Sequence, residues 1–144
     1  MNRIRFHELN TRSNLSERRA LKEFLRNLFY SEGYKVNTVD IIFCTDKYLL
    51  NLNKRHLKHD YYTDTLTFLI SNQPGIIGEI YISSPRVRIN AKSYNCSYQE
   101  ELCRVIIHGC LHLCGYKDHP KAAFYKMETI QENYLDKWKV SRET

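Results

Sequence analysis

Three histidines lie within the twelve-residue stretch HGCLHLCGYKDH, which runs from His108 to His119. On a helix, residues four positions apart lie on the same face, so His108 and His112 can direct ring nitrogens at one ion. Gly115 can adopt a positive φ and end the helix, which lets the chain turn back and deliver His119 as a third ligand. Three histidines with an open fourth position are typical of a catalytic zinc site. The spacing therefore predicts one Zn2+ per chain.

Two cysteines of the same stretch favour a different role. Cys110 and Cys114 are also four residues apart, but their helix face is rotated by about 200° from that of the histidines. We expect them to be buried as small apolar side chains, because free cysteine is among the most buried residue types. Cys114, next to the helix end, remains an alternative ligand.

The residue after the first histidine separates two kinds of zinc chemistry. Metzincin proteases have the similar pattern H-E-x-x-H-x-x-G-x-x-H, in which the glutamate acts as general base. Gly109 occupies that position here, so peptide hydrolysis is disfavoured. Asp118 is the nearest carboxylate in sequence. It either transfers protons in catalysis or orients an imidazole ligand, and the sequence does not decide between these roles.

The elements that must position these residues follow from the apolar pattern. Ser16 and Ser97 are plausible helix N-caps, and Ser84 with Pro85 has the order expected at a helix start. The pattern predicts helices over 16–34, from 45 onward, from 84, over 97–114 and over 120–138, and strands over 36–44, 65–70 and 78–83. The last two strands should form an antiparallel hairpin.

These elements indicate a single α/β (α+β) domain over residues 1–144. We expect a small mixed sheet of about four strands packed with about five helices, with the metal site at the C-terminal end of a central helix. With 42% hydrophobic and 26% charged residues, the composition is that of a compact globular protein.

Charge and cysteine content bound the class of function. The formal net charge is +6, which is compatible with a nucleic-acid partner but weak evidence alone. The five cysteines form no regular framework, so we expect free thiols or metal ligands. No signal peptide and no apolar run of about 20 residues is present, which predicts a cytoplasmic protein without membrane contact.

Three motifs resemble those of one family. HGCLHLCGYKDH is similar to the H-G-x-L-H-L-x-G-Y-D-H signature of the YbeY family, bacterial metal-dependent endoribonucleases also called rRNA maturation factors. TDTLTF at 63–68 resembles that family's T-D-V-L-S-F segment, and GEIYIS at 78–83 resembles its G-D-I-x-I-S strand. The motifs occur in the family's order and extend from about Leu50 to His119.

The resemblance implies a zinc-dependent single-strand endoribonuclease. Its expected substrate is ribosomal RNA precursor, notably the 3′ end of the small-subunit rRNA, with a further role in ribosome quality control. The expected partners are RNA, the ribosomal small subunit, and ribosomal or GTPase assembly factors. Two other classes compete with this interpretation: a non-catalytic ribosome assembly factor, and a zinc hydrolase of small molecules or peptides.

The sequence departs from the family pattern in two places. Lys117 is inserted between Tyr116 and Asp118, which moves the third histidine one residue further along. Leu57 stands where the family usually has an arginine, and Arg55, two positions earlier, is the expected catalytic replacement. Lys58 or Lys117 are alternative sources of the positive charge that a phosphodiester transition state needs.

The residue types near these motifs predict further roles in RNA binding and at the surface. The stretch KRHLKHDYY at 54–62 interleaves bases with aromatic rings, as an RNA-binding surface does. The predicted substrate-binding residues are Lys54, Arg55, Lys58 and Lys117. His56 and His59 are expected at the surface. Asp64 either caps a turn or serves the site, and Glu79 is expected to be an exposed strand residue.

Overall fold

The computed structural model describes residues 2–57 and 63–143. Its elements, in chain order, are β1 (Arg3–Glu8), α1 (Arg18–Ser31), β2 (Val36–Cys44), α2 (Asp46–Leu57), β3 (Thr65–Ser71), β4 (Ile76–Ser83), α3 (Ser84–Ser93), α4 (Tyr98–Leu113) and α5 (Lys121–Ser141). Among the described residues, none of the helices has the length and apolar character needed to cross a membrane.

The sheet has four strands in the order β1-β2-β4-β3. β2 pairs in parallel with β1 and with β4, while β3 pairs antiparallel with β4. The predicted mixed sheet, its hairpin and the five helices are thus confirmed. The sequence did not predict β1, because in this edge strand only Ile4 is buried and its charged residues obscure the strand pattern.

The start of α1 differs from the expected N-cap. The helix begins at Arg18, and Glu17 precedes it with φ of 56° and no side-chain cap. Ser16 makes a long-range contact instead, since its hydroxyl donates to Gln99 Oε1 at 3.1 Å. A tertiary hydrogen bond has therefore replaced the local one that the sequence suggested.

Alternate residues of β4 face different helices. Ile80 and Ile82 belong to the main core, beneath α4, whereas Tyr81 packs against α2 in a smaller cluster on the opposite face of the sheet. This follows from strand geometry, because successive side chains of a β-strand point to opposite faces of the sheet.

Helix α4 lies unusually close to β4. A methyl group added at Gly109 would be 2.7 Å from Ile80 Cγ2, and one added at Gly78 would be 2.6 Å from Leu113 Cδ2. One glycine belongs to the helix and the other to the strand, so each provides space for a side chain of the opposite element. A glutamate at Gly109, as in metzincins, does not fit against this strand.

Replacing Gly109 with alanine should therefore destabilise the fold, although alanine favours helices by about 1 kcal/mol over glycine. Overpacking a core costs about 1–3 kcal/mol, so we expect a net loss of up to about 2 kcal/mol in the free energy of unfolding, measured by urea titration. Asn27→Ala, at an exposed position of α1, is the matched control and should not lower stability.

The double variant Gly109→Ala/Ile80→Ala tests the cause. If the new methyl collides with Ile80, the double variant should be more stable than the sum of the single effects predicts, by at least about 0.5 kcal/mol. Strictly additive effects would contradict this contact as the source of the destabilisation.

Candidate metal and catalytic site

The last turns of α4 place two histidines side by side. The Nε2 atoms of His108 and His112 are 3.0 Å apart, and both side chains are half-buried. Ser97 caps the other end of this helix by accepting from the backbone N–H of Glu100 at 3.0 Å. The four-residue spacing thus brings the two rings together as the sequence predicts.

Hydrogen bonds on the far side of each ring fix the positions of the protons. His112 Nδ1 is 3.0 Å from the backbone oxygen of Tyr116, which can only accept, so Nδ1 carries the hydrogen. His108 Nδ1 is 2.7 Å from Gln131 Oε1. The amide nitrogen of Gln131 donates to Glu132 at 3.1 Å, which leaves its oxygen to accept from His108. In neutral imidazoles both Nε2 atoms therefore have lone pairs that face each other.

Asp118 brings a third electron donor to the same point. Its carboxylate oxygens lie 3.3 Å from His112 Nε2 and 3.9 Å from His108 Nε2. Within the described residues, the ligand atoms of these three side chains all lie within 4.8 Å of one another and form a group that could hold a metal ion. Such converging lone pairs repel unless a proton or a cation lies between them.

The geometry of this group fits a divalent metal ion. Two nitrogen ligands at the usual distance of about 2.0–2.1 Å from a tetrahedral zinc ion are about 3.4 Å apart, and the three pairs of ligand atoms given above span 3.0 to 3.9 Å. Two imidazoles and a carboxylate suit zinc and several other first-row metals. The hydrogen-bonded Nδ1 atoms are also typical of histidine metal ligands.

His119, the predicted third ligand, lies outside this group. Gly115 ends α4 with φ of 97°, as expected, and the chain does turn back toward the histidines. Lys117, Asp118 and His119 are all exposed, but Asp118 is the residue of this turn whose carboxylate reaches the histidines. The role of His119 as a ligand stays a prediction.

Electrostatics favours neutral histidine at this site. Burial lowers the pKa of His112, and His108 lowers it further, while Asp118 acts in the opposite direction. Because the net shift is downward, His112 is predominantly neutral at pH 7, which is the form that binds metals. Asp64 lies near His108, and burial raises its pKa although His108 opposes the shift.

The group lies in the wall of an open cavity of about 770 Å³. The cavity extends between α4, α5, the end of α3 and the start of β3. Asp64 lines it together with His108 and Asp118, and Asn90 Nδ2 donates to Asp64 at 3.5 Å. Asp64 is therefore placed beside the site, which the sequence left open between a turn cap and a site residue.

Arg104 organises the carboxylates along this wall. Its guanidinium donates to Glu132 at 2.9 Å, to Glu101 at 2.5 Å and to Glu100 at 3.2 Å. Burial alone would lower the pKa of Arg104, but the hydrogen bonds to Glu132 and Glu101 raise it above the ordinary value. This cation joins α4 to α5 and holds Glu132, which in turn orients Gln131 toward His108.

The sequence did not identify Gln131, Glu132 and Arg104 as parts of the site. The spacing of Arg104 from Glu100 and Glu101 is that of ordinary ion pairs within one helix and gives no sign of a role in the site. The contact across helices that matters for His108 depends on how α5 packs on α4, which no local pattern gives.

Two of the predicted basic residues, Lys54 and Arg55, do not line the cavity. They are exposed in the last turn of α2, on the sheet face opposite α4. Lys58 and His59 lie outside the described residues. His56, expected at the surface, is exposed, and its ring contacts Phe68.

The remaining assignments concern side chains away from the metal group. Glu79 is half-buried instead of exposed, and it accepts from the Tyr81 hydroxyl at 3.3 Å. Cys110 and Cys114 are buried free thiols. Burial raises the pKa of Cys114 to about 12, which keeps it protonated at neutral pH.

The fold and the site together define a class: a single-domain α+β protein with two histidines and an aspartate that could hold a metal ion in the wall of an open cavity. Comparison with known proteins specifies this class further. The family model Endoribonuclease YbeY matches residues 4–139. The chain is 40% identical to Endoribonuclease YbeY of Bacteroides thetaiotaomicron, over 83% of this chain and 87% of the relative.

Two more matches agree. Endoribonuclease YbeY of Cytophaga hutchinsonii is 42% identical over 80% of this chain and 81% of its own length. The solution structure of TM1509 from Thermotoga maritima superposes with a TM-score of 0.65 at 32% identity, over 96% of this chain and 93% of that one. This chain therefore belongs to the YbeY endoribonuclease family, which confirms the resemblance carried by its motifs.

The hydrogen bond from His108 to Gln131 should matter for metal binding. Gln131→Leu removes the acceptor that fixes the imidazole, and loss of such an outer partner typically weakens metal affinity about 10–100-fold. Competition with a zinc-binding dye measures this effect without any activity assay. Gln131→Glu, which keeps an acceptor, should retain more affinity than Gln131→Leu.

Gln73→Leu, in the exposed β3–β4 turn, is the matched control for this experiment and should bind zinc like the wild type. Equal zinc affinity of Gln131→Leu and the wild type would show that the hydrogen bond does not support the metal.

Proposed function

We propose that this protein hydrolyses phosphodiester bonds in single-stranded RNA, with the small-subunit rRNA 3′ end as substrate and a further role in ribosome quality control. The observation that carries the proposal is the convergence of His108 Nε2, His112 Nε2 and the Asp118 carboxylate at the wall of an open cavity. Membership of the YbeY endoribonuclease family supplies the substrate class.

Zinc is the proposed ion, held by His108 and His112. Bound there, it would lower the pKa of a water molecule to about 7 and polarise a phosphoryl oxygen. The chain's own residues prepare the site: Gln131 Oε1 and the Tyr116 carbonyl accept the Nδ1 hydrogens and so orient the two imidazoles with Nε2 toward the ion. Asp118 and His119 are the two candidates for the third ligand. If His119 is the ligand, the Asp118 carboxylate can accept the proton of the attacking water.

Basic residues outside the cavity are proposed to bind the substrate. Lys117 is exposed in the turn that carries Asp118, where a phosphate next to the scissile bond would lie. Lys54, Arg55 and Lys58 are proposed to contact the RNA backbone further away, and Arg55 is the proposed source of positive charge for the transition state.

The proposed setting is the cytoplasm, where ribosomes are assembled. The small ribosomal subunit and its ribosomal or GTPase assembly factors are the proposed partners. The net charge of +6 supports association with ribosomal RNA, since cationic proteins are attracted to the phosphate backbone.

Removing either histidine should abolish both metal binding and RNA cleavage. We expect His108→Ala and His112→Ala to lose the bound zinc and at least about 100-fold in cleavage rate, because losing a ligand costs more than losing its outer partner. Elemental analysis and cleavage of a labelled single-stranded RNA measure the two effects.

His7→Ala replaces an exposed histidine of β1 and is the control, with wild-type metal content and cleavage expected. Cleavage that survives in His112→Ala would contradict a metal-dependent nuclease. Zinc binding by a wild-type protein that hydrolyses small phosphodiesters but no RNA would favour a small-molecule hydrolase instead.

The pair Asp118→Asn and His119→Ala assigns the third ligand. If the geometry of the structure gives the ligand set, Asp118→Asn should lower zinc affinity by at least about 10-fold and His119→Ala should leave it unchanged. The reverse result would establish the three-histidine set that the spacing predicts. The zinc dissociation constant of each variant, measured by dye competition, is the readout.

A further inference from the structure

A second groove lies at the carboxyl ends of the parallel strands, away from the metal group. It has a volume of about 310 Å³ and lies between the segment after β1 and one face of α3. Its lining residues are Thr11, Arg12, Ser84, Pro85, Arg88, Ile89 and Lys92. In open α/β sheets, ligands commonly bind in the crevice beyond the carboxyl ends of the strands.

The groove contains positive charge without a compensating carboxylate. Arg12, Arg88 and Lys92 line it, and no acidic residue of the described chain does. None of these three cations forms an ion pair with another described residue. By contrast, Arg18 pairs with Glu8 and Arg104 pairs with carboxylates on two helices.

Two of these charges repel each other on the same helix. Arg88 and Lys92 are four residues apart on α3, a spacing at which like charges repel and destabilise the helix. Both are exposed, and the repulsion would be relieved by an anion bound between them. The groove therefore favours an anionic ligand that spans several cations.

Contacts beneath the groove hold its walls in place. The Arg88 guanidinium lies 4.0 Å from the centre of the Tyr98 ring, and the Tyr98 hydroxyl donates to the backbone oxygen of Ser13 at 2.5 Å. The buried Ser84 hydroxyl donates to the backbone oxygen of Arg12 at 3.4 Å. These bonds join α3 and α4 to the segment after β1, so the cations are presented on a preorganised surface.

We propose that this groove binds the phosphate backbone of single-stranded RNA as a second contact outside the catalytic cavity. The inference rests on the proposed function, which supplies the RNA. Helix α3 connects the two places, because Lys92 lines the groove while Tyr94, two residues further on, lines the cavity. Tyr94 is exposed by 62% and can stack on a base where the strand crosses the end of α3.

The test is RNA affinity measured by fluorescence anisotropy in the presence of EDTA, which prevents cleavage. The probe is a labelled single-stranded RNA of about 16 nucleotides, the upper end of common single-strand site sizes. The variant Arg12→Ala/Lys92→Ala removes two exposed cations and leaves Arg88 on Tyr98, so the fold is preserved. We expect at least about 10-fold weaker binding at low salt.

The salt dependence gives a second readout. Each phosphate contact contributes about 0.7 to the slope of log affinity against log salt for single strands, so the variant should have a slope shallower by about 1.4. A loss of affinity without this change would overturn phosphate binding in the groove.

The matched control is Arg3→Ala/Lys35→Ala, which removes the same charge from exposed positions. These residues lie at the opposite end of the nine-residue strand β2, about 30 Å from the groove at 3.3 Å per residue. Equal losses of RNA affinity in the two double variants would indicate a general effect of charge. That result would overturn the proposal that the groove binds RNA.

The same proteins, loaded with zinc and assayed for cleavage, keep the two proposals separate. RNA cleavage by the wild type, together with undiminished RNA binding by Arg12→Ala/Lys92→Ala, would overturn RNA binding by the groove but not the nuclease. An acidic protein segment would then be the better occupant of the groove. Weaker binding by that variant, with no cleavage by the wild type, would support the groove and overturn the nuclease.

Discussion

The close approach of α4 to β4 is the constraint on which the site depends. Gly109 and Gly78 allow the helix backbone to approach the strand, and Ile80 and Leu113 fill the space that the glycines leave. This contact fixes the rotation of α4 about its own axis. With the Gly109 face held against the sheet, His108 and His112 lie on one flank of α4, toward α5 and the cavity. The residue that distinguishes this chain from metzincins is thus a packing residue, and any general base has to come from elsewhere.

A second layer of contacts turns that orientation into a metal-binding geometry. Two acceptors, Gln131 Oε1 and the Tyr116 carbonyl, take the Nδ1 protons and leave both Nε2 lone pairs directed at one point. The first acceptor depends on Glu132 and Arg104, and the second on the turn that Gly115 permits. Helix packing and helix termination therefore each fix one histidine.

The sequence predicted much of this arrangement, and the limits of the prediction have physical causes. The fold class, the hairpin, the capping of α4 by Ser97 and the pairing of His108 with His112 all follow from local spacing. What the sequence did not give depends on long-range packing: the edge strand β1, with a single buried residue, and the role of Gln131. The sequence predicted His119 as the third ligand, and whether it is depends on a different factor. Asp118 and His119 are adjacent, and the backbone conformation of the turn decides which of them faces the histidines.

The distribution of charge explains why composition alone was weak evidence for RNA. Six carboxylates line the cavity beside the histidines: Asp64, Glu100, Glu101, Asp118, Glu128 and Glu132. Among the lining residues that the structure describes, Arg104 is the one Lys or Arg side chain, and its hydrogen bonds to those carboxylates already occupy it. Such a cavity can hold a metal ion but repels phosphates that approach it without one. In the proposed nuclease, the attraction for RNA would therefore come from cations outside the cavity, so that affinity and chemistry would belong to different surfaces of the same domain.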